Sequence, residues 1–231
     1  RWTNVTVQAT PYDGTDNGTA VNVSINISNY VPEVTSLLLN GSFANYTSEN
    51  ITAYIEGLEI DNDTVKNITN WYVNGSSLTV LNMPMEANNN GTDNNSKYVG
   101  DYSSLDNGGI VNGATWNATG GYDGKGAYSF DGSNDYINLG KSTTLDTPYQ
   151  TVTMWVKMSS LSQAYTTFMG TNTALYEFQP LVKSNGKLAF YVWDGTTQNN
   201  YDGSGTYTLT TNQWYHLTFV YGNGFLRGYV N

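Results

Sequence analysis

The sequence predicts an all-β protein, and three patterns support this fold class. Several segments alternate apolar and polar residues with the period of two that half-buried strands show. Eight Asn-Gly and five Asp-Gly pairs lie among these segments, and both pairs tolerate the positive φ angles of tight hairpin turns. The sequence lacks any stretch of ten or more residues with the 3.6-residue period of a helix.

The predicted strands fall into two groups along the chain. The first group is short and rich in β-branched residues, and it comprises residues 2–9, 20–28, 34–39, 50–55 and 71–73. The second group is richer in aromatic residues and comprises residues 151–158, 187–193 and 214–221. Because residues 82–97 lose the alternation and form an Asn-rich polar run, we predict a domain boundary at about residue 82.

An aromatic–Asp–Gly triplet occurs five times, which raises the question of whether it binds something or turns the chain. The triplets begin at Tyr12, Tyr122, Phe130, Trp193 and Tyr201. In each, the aromatic side chain can close a strand by packing while Asp-Gly forms the following turn. A structural role in turns is the favoured interpretation, with a repeated binding motif as the alternative.

Charge and cysteine content exclude several classes of function. The chain has 9 basic and 19 acidic residues, a net charge of −10, so it lacks the basic surface that a binder of nucleic acid or anionic membranes needs. Its apolar runs, such as residues 37–39, are too short to cross a bilayer. Cysteine is absent, which removes disulfides and thiol chemistry and favours a microbial, archaeal surface protein.

Asn-X-Ser/Thr sequons are concentrated in the first half of the chain. They begin at Asn4, Asn17, Asn22, Asn26, Asn40, Asn45, Asn50, Asn62, Asn67, Asn74, Asn90, Asn94 and Asn117. Strand alternation places Asn22 and Asn26 on the face opposite Val23 and Ile25, where attached glycans would project into solvent. We therefore predict an extracellular, N-glycosylated cell-surface chain; compositional accident is the alternative.

Four separated motifs in the second half resemble a laminin-G-like, concanavalin A-like jelly roll. They are "GDYSSLDNGGIVNGATWN", "GGYDGKGAYSFDGSNDYINLG", "TVTMWVKM" and "WYHLTFVYGNGFLRGYVN". The resemblance covers residues 83–231 and implies a β-sandwich domain of lectin-like function. The family pattern continues beyond "YVN", so we expect this domain to be incomplete at its C-terminal end.

The first half resembles immunoglobulin-like β-sandwich segments. Residues 1–32 are similar to the closing strands of one unit, and residues 33–82 to the opening strands of the next. The resemblance implies that Trp71 is the buried tryptophan of a third strand. Strands from outside these residues would then complete at least one sandwich, through a longer chain or by strand addition from a neighbouring subunit.

Loop residues suggest a structural calcium site. Carboxylate and amide oxygens, which hard cations prefer, come from Asp101 and from the turn with Asp131, Asn134 and Asp135. The resemblance implies a calcium ion near these loops, while capping of turns is the alternative. Residues 61–63, with Asp61 and Asp63, form a weaker second candidate.

The loop from Trp193 to Tyr207 is the predicted carbohydrate-binding site, because it is long, polar and flanked by aromatic residues. Sugar rings stack on exposed aromatic rings, and Asp and Asn hydrogen-bond to hydroxyl groups. The candidate residues are Trp193, Asp194, Asn199, Asn200, Tyr201 and Asp202. The alternative is a hairpin whose rings pack into the edge of the sandwich.

Catalysis is not expected. The lone histidine, His216, is read as a core or half-buried residue, because no Ser or Asp partner pattern accompanies it. The acidic run at residues 59–63 leads into a sequon instead of an enclosed cleft that would separate carboxyl pKa values. Two functions therefore remain: a lectin-like module that binds glycans or glycoproteins in adhesion, and a structural subunit of an extracellular filament or surface layer.

Overall fold

The computed structural model describes residues 2–28, 30–41, 50–60, 65–86, 89–90, 97–170, 177–193, 196, 198–201, 203 and 205–231. These residues form antiparallel strands and one short 3₁₀ helix, Thr143–Leu145, so the predicted all-β fold class is confirmed. Contacts divide the chain into two compact units, Arg1–Asn67 and Ile68–Asn231. The second unit thus begins ahead of the boundary predicted at residue 82.

The first unit contains two antiparallel hairpins. Strands β1 (Trp2–Ala9) and β2 (Val21–Ser28) pair with Val7 opposite Val23, which gathers the apolar side chains on one face of the hairpin. That face is open, because Val23 is 70% exposed. Strands β3 (Glu33–Gly41) and β4 (Ile51–Leu58) form the second hairpin, with an irregular register between Val34 and Ser36. The immunoglobulin-like assignment of these segments stays a prediction.

Trp71 corrects one expectation from the sequence. The resemblance predicts a buried tryptophan in a sandwich strand, but Trp71 is 38% exposed. It precedes a short hairpin of β5 (Tyr72–Val73) and β6 (Ser76–Ser77), whose turn at Asn74 and Gly75 has positive φ angles of 51° and 81°. Each strand of this hairpin is only two residues long, so the hairpin is too small to bury the indole.

The N-terminal part of the second unit is a small layer of short strands. One sheet has the order β12 (Tyr136–Asn138), β9 (Gly109–Asn112), β8 (Lys97–Val99) and β7 (Asn89–Asn90). A hairpin of β10 (Thr115–Asn117) and β11 (Ala127–Ser129) lies between β9 and β12 along the chain. Val99, Val111 and Ala114 form its buried core, against which Met83 and Met85 pack.

The C-terminal part is a β-sandwich of two sheets. One sheet has the order β13 (Gln150–Lys157), β18 (Trp214–Gly222) and β19 (Phe225–Val230). The other has the order β14 (Tyr165–Thr167), β15 (Glu177–Lys183), β16 (Leu188–Trp193) and β17 (Gln198–Tyr201). Their inner faces meet in the main core, where the rings of Phe190 and Phe219 make an edge-to-face contact at 5.8 Å.

Strand alternation separates this core from the outer face of the β13–β18–β19 sheet. In β18, burial alternates residue by residue, with Tyr215, Leu217 and Phe219 buried. The residues between them, including Trp214 and His216, point to the other face and are half-buried. The predicted half-buried position of His216 is thereby confirmed.

The aromatic–Asp–Gly triplets are turns wherever the structure describes their aspartate. The side-chain Oδ1 of Asp13, Asp123 and Asp131 accepts a hydrogen bond from the backbone N–H two residues ahead, at 2.9, 3.1 and 2.8 Å. The glycine that follows has a positive φ in each case. The turn interpretation is confirmed for these three copies; Asp194 and Asp202 lie outside the described residues.

Candidate functional site

Asp101, a predicted metal ligand, is instead surrounded by hydrogen-bond donors. Its Oδ1 accepts from the backbone N–H groups of Asn82 (2.7 Å) and Ser103 (2.8 Å). Its Oδ2 accepts from the Ser103 hydroxyl (2.6 Å) and the Asn107 N–H (2.9 Å). Burial raises the pKa of Asp101, but these hydrogen bonds lower it more, so the pKa lies below its ordinary value. The carboxylate ties residue 82 to the loop after β8.

Asn107 extends the same network into the protein. Only 4% of its surface is exposed, and its Nδ2 donates to the carbonyl oxygen of Val80 at 2.7 Å and to the hydroxyl of Thr144 at 2.9 Å. Asp101 and Asn107 therefore attach residues 80–82 to the loop after β8. These bonds join the residues at the predicted boundary to the rest of the second unit.

The other three predicted metal ligands occupy one tight turn between β11 and β12. Asp131 Oδ1 accepts from the N–H groups of Ser133 (2.8 Å) and Asn134 (3.4 Å). The Asp131 N–H donates to Asp135 Oδ2 at 2.8 Å. Thus Asp101 and Asp131 take part in separate networks.

Within the described part of the chain, no cluster of three or more acidic or histidine side chains is placed to hold a metal ion. Asp61 and Asp63, the second candidate pair, lie outside that part. Calcium binding stays a prediction.

The predicted carbohydrate loop does not bring its two aromatic rings together. In the β16–β17 pairing, Tyr201 lies opposite Phe190 and Trp193 opposite Gln198, so Trp193 and Tyr201 are on opposite faces of the sheet. Tyr201 stacks on Phe190, with ring centroids 5.1 Å apart, and packs against the main core. Trp193 and Tyr201 therefore do not form one shared stacking surface.

The remaining loop candidates are only partly described. Asn200 is exposed, on the same face as Trp193. Asn199 lies in β17 with its side chain outside the description, and Asp194 and Asp202 lie outside the described residues. Carbohydrate binding by this loop stays a prediction.

An aromatic cluster on the outer face of the β13–β18–β19 sheet forms a second candidate site. We call it the aromatic site, and it is a shallow cavity of about 390 Å³ lined by Tyr122, Trp155, Trp214, His216 and Asn231. Strand β13 alternates between the core and solvent, which places Trp155 outward with 44% of its surface exposed. Cross-strand pairing then sets His216 beside Trp155 and Trp214 beside Lys157.

The rings of the aromatic site contact one another in defined geometries. Tyr122, from the β10–β11 turn, stacks on Trp155 with centroids 3.7 Å apart and planes inclined by 8°. Trp214 meets Tyr122 edge-on at 6.4 Å, and the His216 ring lies 5.1 Å from that of Trp155. The result is an ordered apolar surface that remains open to solvent, since Tyr122 is 57% exposed.

Polar groups border these rings. The ring Nε2 atom of His216 is 2.7 Å from the hydroxyl of Thr153, and the backbone N–H of His216 donates to Asn231 Oδ1 at 2.9 Å. The ammonium group of Lys157 lies 5.2 Å from the centroid of the Trp214 ring. None of the five lining residues carries a carboxylate, although the chain as a whole is acidic. Apolar rings with a few hydrogen-bonding neighbours are the usual composition of a sugar-binding surface.

Sequence reasoning missed the aromatic site, although one signal for it was present. The predicted strand at residues 151–158 placed Val152, Met154 and Val156 on one face, which left Trp155 on the other. Exposed apolar residues that lie together on one face mark a candidate binding surface, and Trp155 is one of them here. The stacking of Tyr122 on Trp155 joins residues far apart in sequence and required the structure.

Comparison with known families agrees with the sandwich. Residues 131–231 match the family model Laminin_G_3, described as the concanavalin A-like lectin/glucanases superfamily. This part of the chain is therefore similar to concanavalin A-like domains. No curated protein and no solved structure matches the chain. The match covers somewhat less than half of the chain and includes Trp155, Trp214, His216 and Asn231, but not Tyr122.

The family fits a carbohydrate-binding or adhesion role for the concanavalin A-like domain. The superfamily's description names glucanases beside lectins, and the absence of catalysis in this chain stays a prediction. The described residues contain no helix that is long and apolar enough to span a membrane.

Proposed function

We propose that the protein is a glycan-binding adhesion module and that its concanavalin A-like domain binds saccharides at the aromatic site. The observation that carries this proposal is the ordered, half-exposed surface of Trp155, Tyr122 and Trp214 on the outer face of the sheet. Aromatic rings of this exposure stack on the C–H faces of sugars, and His216 and Asn231 border them as hydrogen-bonding groups. Because the cavity is shallow, a bound saccharide would bury little of its surface. We therefore expect weak binding at a single site, strengthened by multivalent display.

An array of immobilised neutral and acidic oligosaccharides tests this function. Residues 1–231, displayed on multivalent beads, should bind a subset of the saccharides, and soluble competitors of the same structure should remove the signal. Beads that carry the Trp155→Ala variant provide the control for non-specific adhesion. An array on which the wild-type protein binds nothing beyond that control contradicts the proposed function.

We further propose that this module is exposed outside the cell on an N-glycosylated chain. The sequon asparagines whose side chains are described are all exposed, so an attached glycan would meet no steric obstacle there; they are Asn4, Asn17, Asn22, Asn26, Asn40, Asn50, Asn67, Asn74 and Asn117. Asn45, Asn62 and Asn94 lie outside the described residues, and for Asn90 only the backbone is described. Concanavalin A-like domains of the laminin G type are common in extracellular proteins, which supports the same location.

Native protein should carry glycans on residues 4–117 and none beyond. Intact mass spectrometry is expected to exceed the polypeptide mass by several glycans, and glycopeptide mapping should place them at the sequons. Residues 118–231, which contain no sequon, serve as the internal control. An unmodified mass for protein from its native source would contradict the extracellular glycoprotein.

A structural role in a filament or surface layer is the second candidate. The observation that favours it is the open apolar face of the β1–β2 hairpin, where Val7 and Val21 are 66% and 62% exposed. Such a face is usually covered by another layer. Residues 1–231 should then self-associate reversibly with rising concentration in light scattering, and Val7→Thr with Val23→Thr should abolish it. A strictly monomeric wild-type protein at high concentration speaks against the filament.

A further inference from the structure

Tyr122 covers one face of the Trp155 indole. The two rings are nearly parallel, at 8°, with centroids 3.7 Å apart, so the tyrosine ring makes the face-to-face contact itself. A saccharide that stacks on the same face of Trp155 must take the place of this ring. Tyr122 comes from the turn between β10 and β11, whereas Trp155 belongs to the rigid sheet.

The turn that carries Tyr122 is firmly held at its base. At that base, the Gly126 N–H donates to Glu86 Oε2 at 3.1 Å. A Cβ at Gly126 would lie 2.4 Å from the carbonyl oxygen of Met85, so the backbone there is closely packed. The base of the turn therefore has a fixed position on the second unit.

Apart from the Tyr122 ring, the tip of the same turn is held by contacts within the turn. Gly121 donates to the carbonyl oxygen of Lys125 at 2.7 Å, and Asp123 pairs with Lys125 at 3.5 Å, with both side chains about half exposed. A Cβ at Gly124 would meet nothing within 4 Å. Because these bonds lie within the turn, Tyr122 can leave Trp155 without breaking the anchor at Gly126.

We propose that Tyr122 is a specificity-determining residue of the aromatic site, because a saccharide binds Trp155 by displacing the tyrosine ring. This inference rests on the proposed glycan-binding function. Only a ligand whose contact with Trp155 exceeds that of the tyrosine enters, which favours a pyranose with equatorial hydroxyl groups, since its ring faces carry only C–H groups. Axial hydroxyl groups on the stacking face would forfeit apolar contact and leave Tyr122 in place.

The test compares Tyr122→Ala with wild type on an array of immobilised hexose oligosaccharides that includes cellohexaose. Loss of a stacked aromatic pair is worth about two- to tenfold in an equilibrium constant, so Tyr122→Ala should raise binding by about that factor on the saccharides that wild type binds. Tyr12→Ala is the matched control, because Tyr12 belongs to the same kind of triplet and is 64% exposed in the first unit.

Binding that Tyr122→Ala weakens or leaves unchanged overturns the proposal and leaves the proposed function standing. An array on which neither wild type nor any variant binds contradicts the proposed function. The proposal that a saccharide displaces the Tyr122 ring is then contradicted as well. Either result is distinguishable from misfolding by the near-ultraviolet circular dichroism of the variant.

A second measurement needs no saccharide. Acrylamide quenching of tryptophan fluorescence should increase on Tyr122→Ala, because one face of Trp155 becomes accessible. The increase should be absent when Tyr122→Ala is made in a Trp155→Phe background. Equal quenching of the wild-type protein and the single variant Tyr122→Ala overturns the proposal.

Discussion

Replacing Trp155 by alanine is expected to reduce glycan binding at least about tenfold while the protein stays folded. The indole supplies the central stacking surface of the aromatic site, and it contacts both Tyr122 and His216. Its 44% exposed position on the outer face of β13 keeps it out of the main core, so the loss of stability should be small. Binding is measured on the oligosaccharide array and stability by thermal unfolding.

Trp193→Ala provides the matched comparison, since Trp193 is a half-buried tryptophan at the end of β16, in the other sheet of the sandwich. Binding that survives Trp193→Ala but not Trp155→Ala assigns the sugar to the aromatic site. The reverse result would assign it to the loop after β16 that the sequence predicts.

Replacing Asp101 by alanine should lower the free energy of unfolding by about 2–4 kcal/mol. The four donors that point at the carboxylate, from Asn82, Ser103 and Asn107, would lose their acceptor together. Asp131→Ala is the control, because Asp131 accepts from two N–H groups of an exposed turn, and its removal should cost about 0.5–1 kcal/mol. Urea unfolding of the two variants measures both values, and equal losses would contradict the role of Asp101.

The same carboxylate gives the protein an acid-sensitive element. The pKa of Asp101 is lower in the folded than in the unfolded chain. Its contribution to the free energy of unfolding is therefore complete above the unfolded-state pKa, and it is lost as the pH falls through the folded-state pKa. Asp101→Ala should therefore reduce the difference in stability between neutral and strongly acidic solution. This comparison separates the charge of Asp101 from the loss of side-chain packing.

Local patterns in the sequence were sufficient for the strands of eight or nine residues, whereas most of the shorter strands were not predicted. The alternation in residues 2–9 predicted β1 with its observed ends, and the strand predicted at 214–221 corresponds to β18, Trp214–Gly222. The turns also follow from local chemistry, since Asp123 and Gly124 adopt the geometry that Asp-Gly favours wherever it occurs. Period and turn chemistry depend on neighbours in the chain, which is why a sequence reveals them.

The misreadings concern contacts between distant residues. Burial of Trp71 depends on a second sheet to cover it, and the local pattern cannot say whether that sheet exists. Trp193 and Tyr201 flank one loop, yet the register of β16 with β17 decides which face each side chain takes. Likewise, Tyr122 meets Trp155 only because the β10–β11 turn reaches the outer face of another sheet.

Binding of a saccharide at the aromatic site is tested most directly by NMR of the tryptophan side chains. The chain has six tryptophans, whose indole N–H signals can be assigned by single Trp→Phe variants in ¹⁵N-labelled protein. Titration with the oligosaccharide that gives the strongest array signal should shift the Trp155 and Trp214 signals and leave that of Trp193 in place. Shifts confined to Trp193, or saturable binding that moves neither Trp155 nor Trp214, would contradict a saccharide site on the outer face of the β13–β18–β19 sheet.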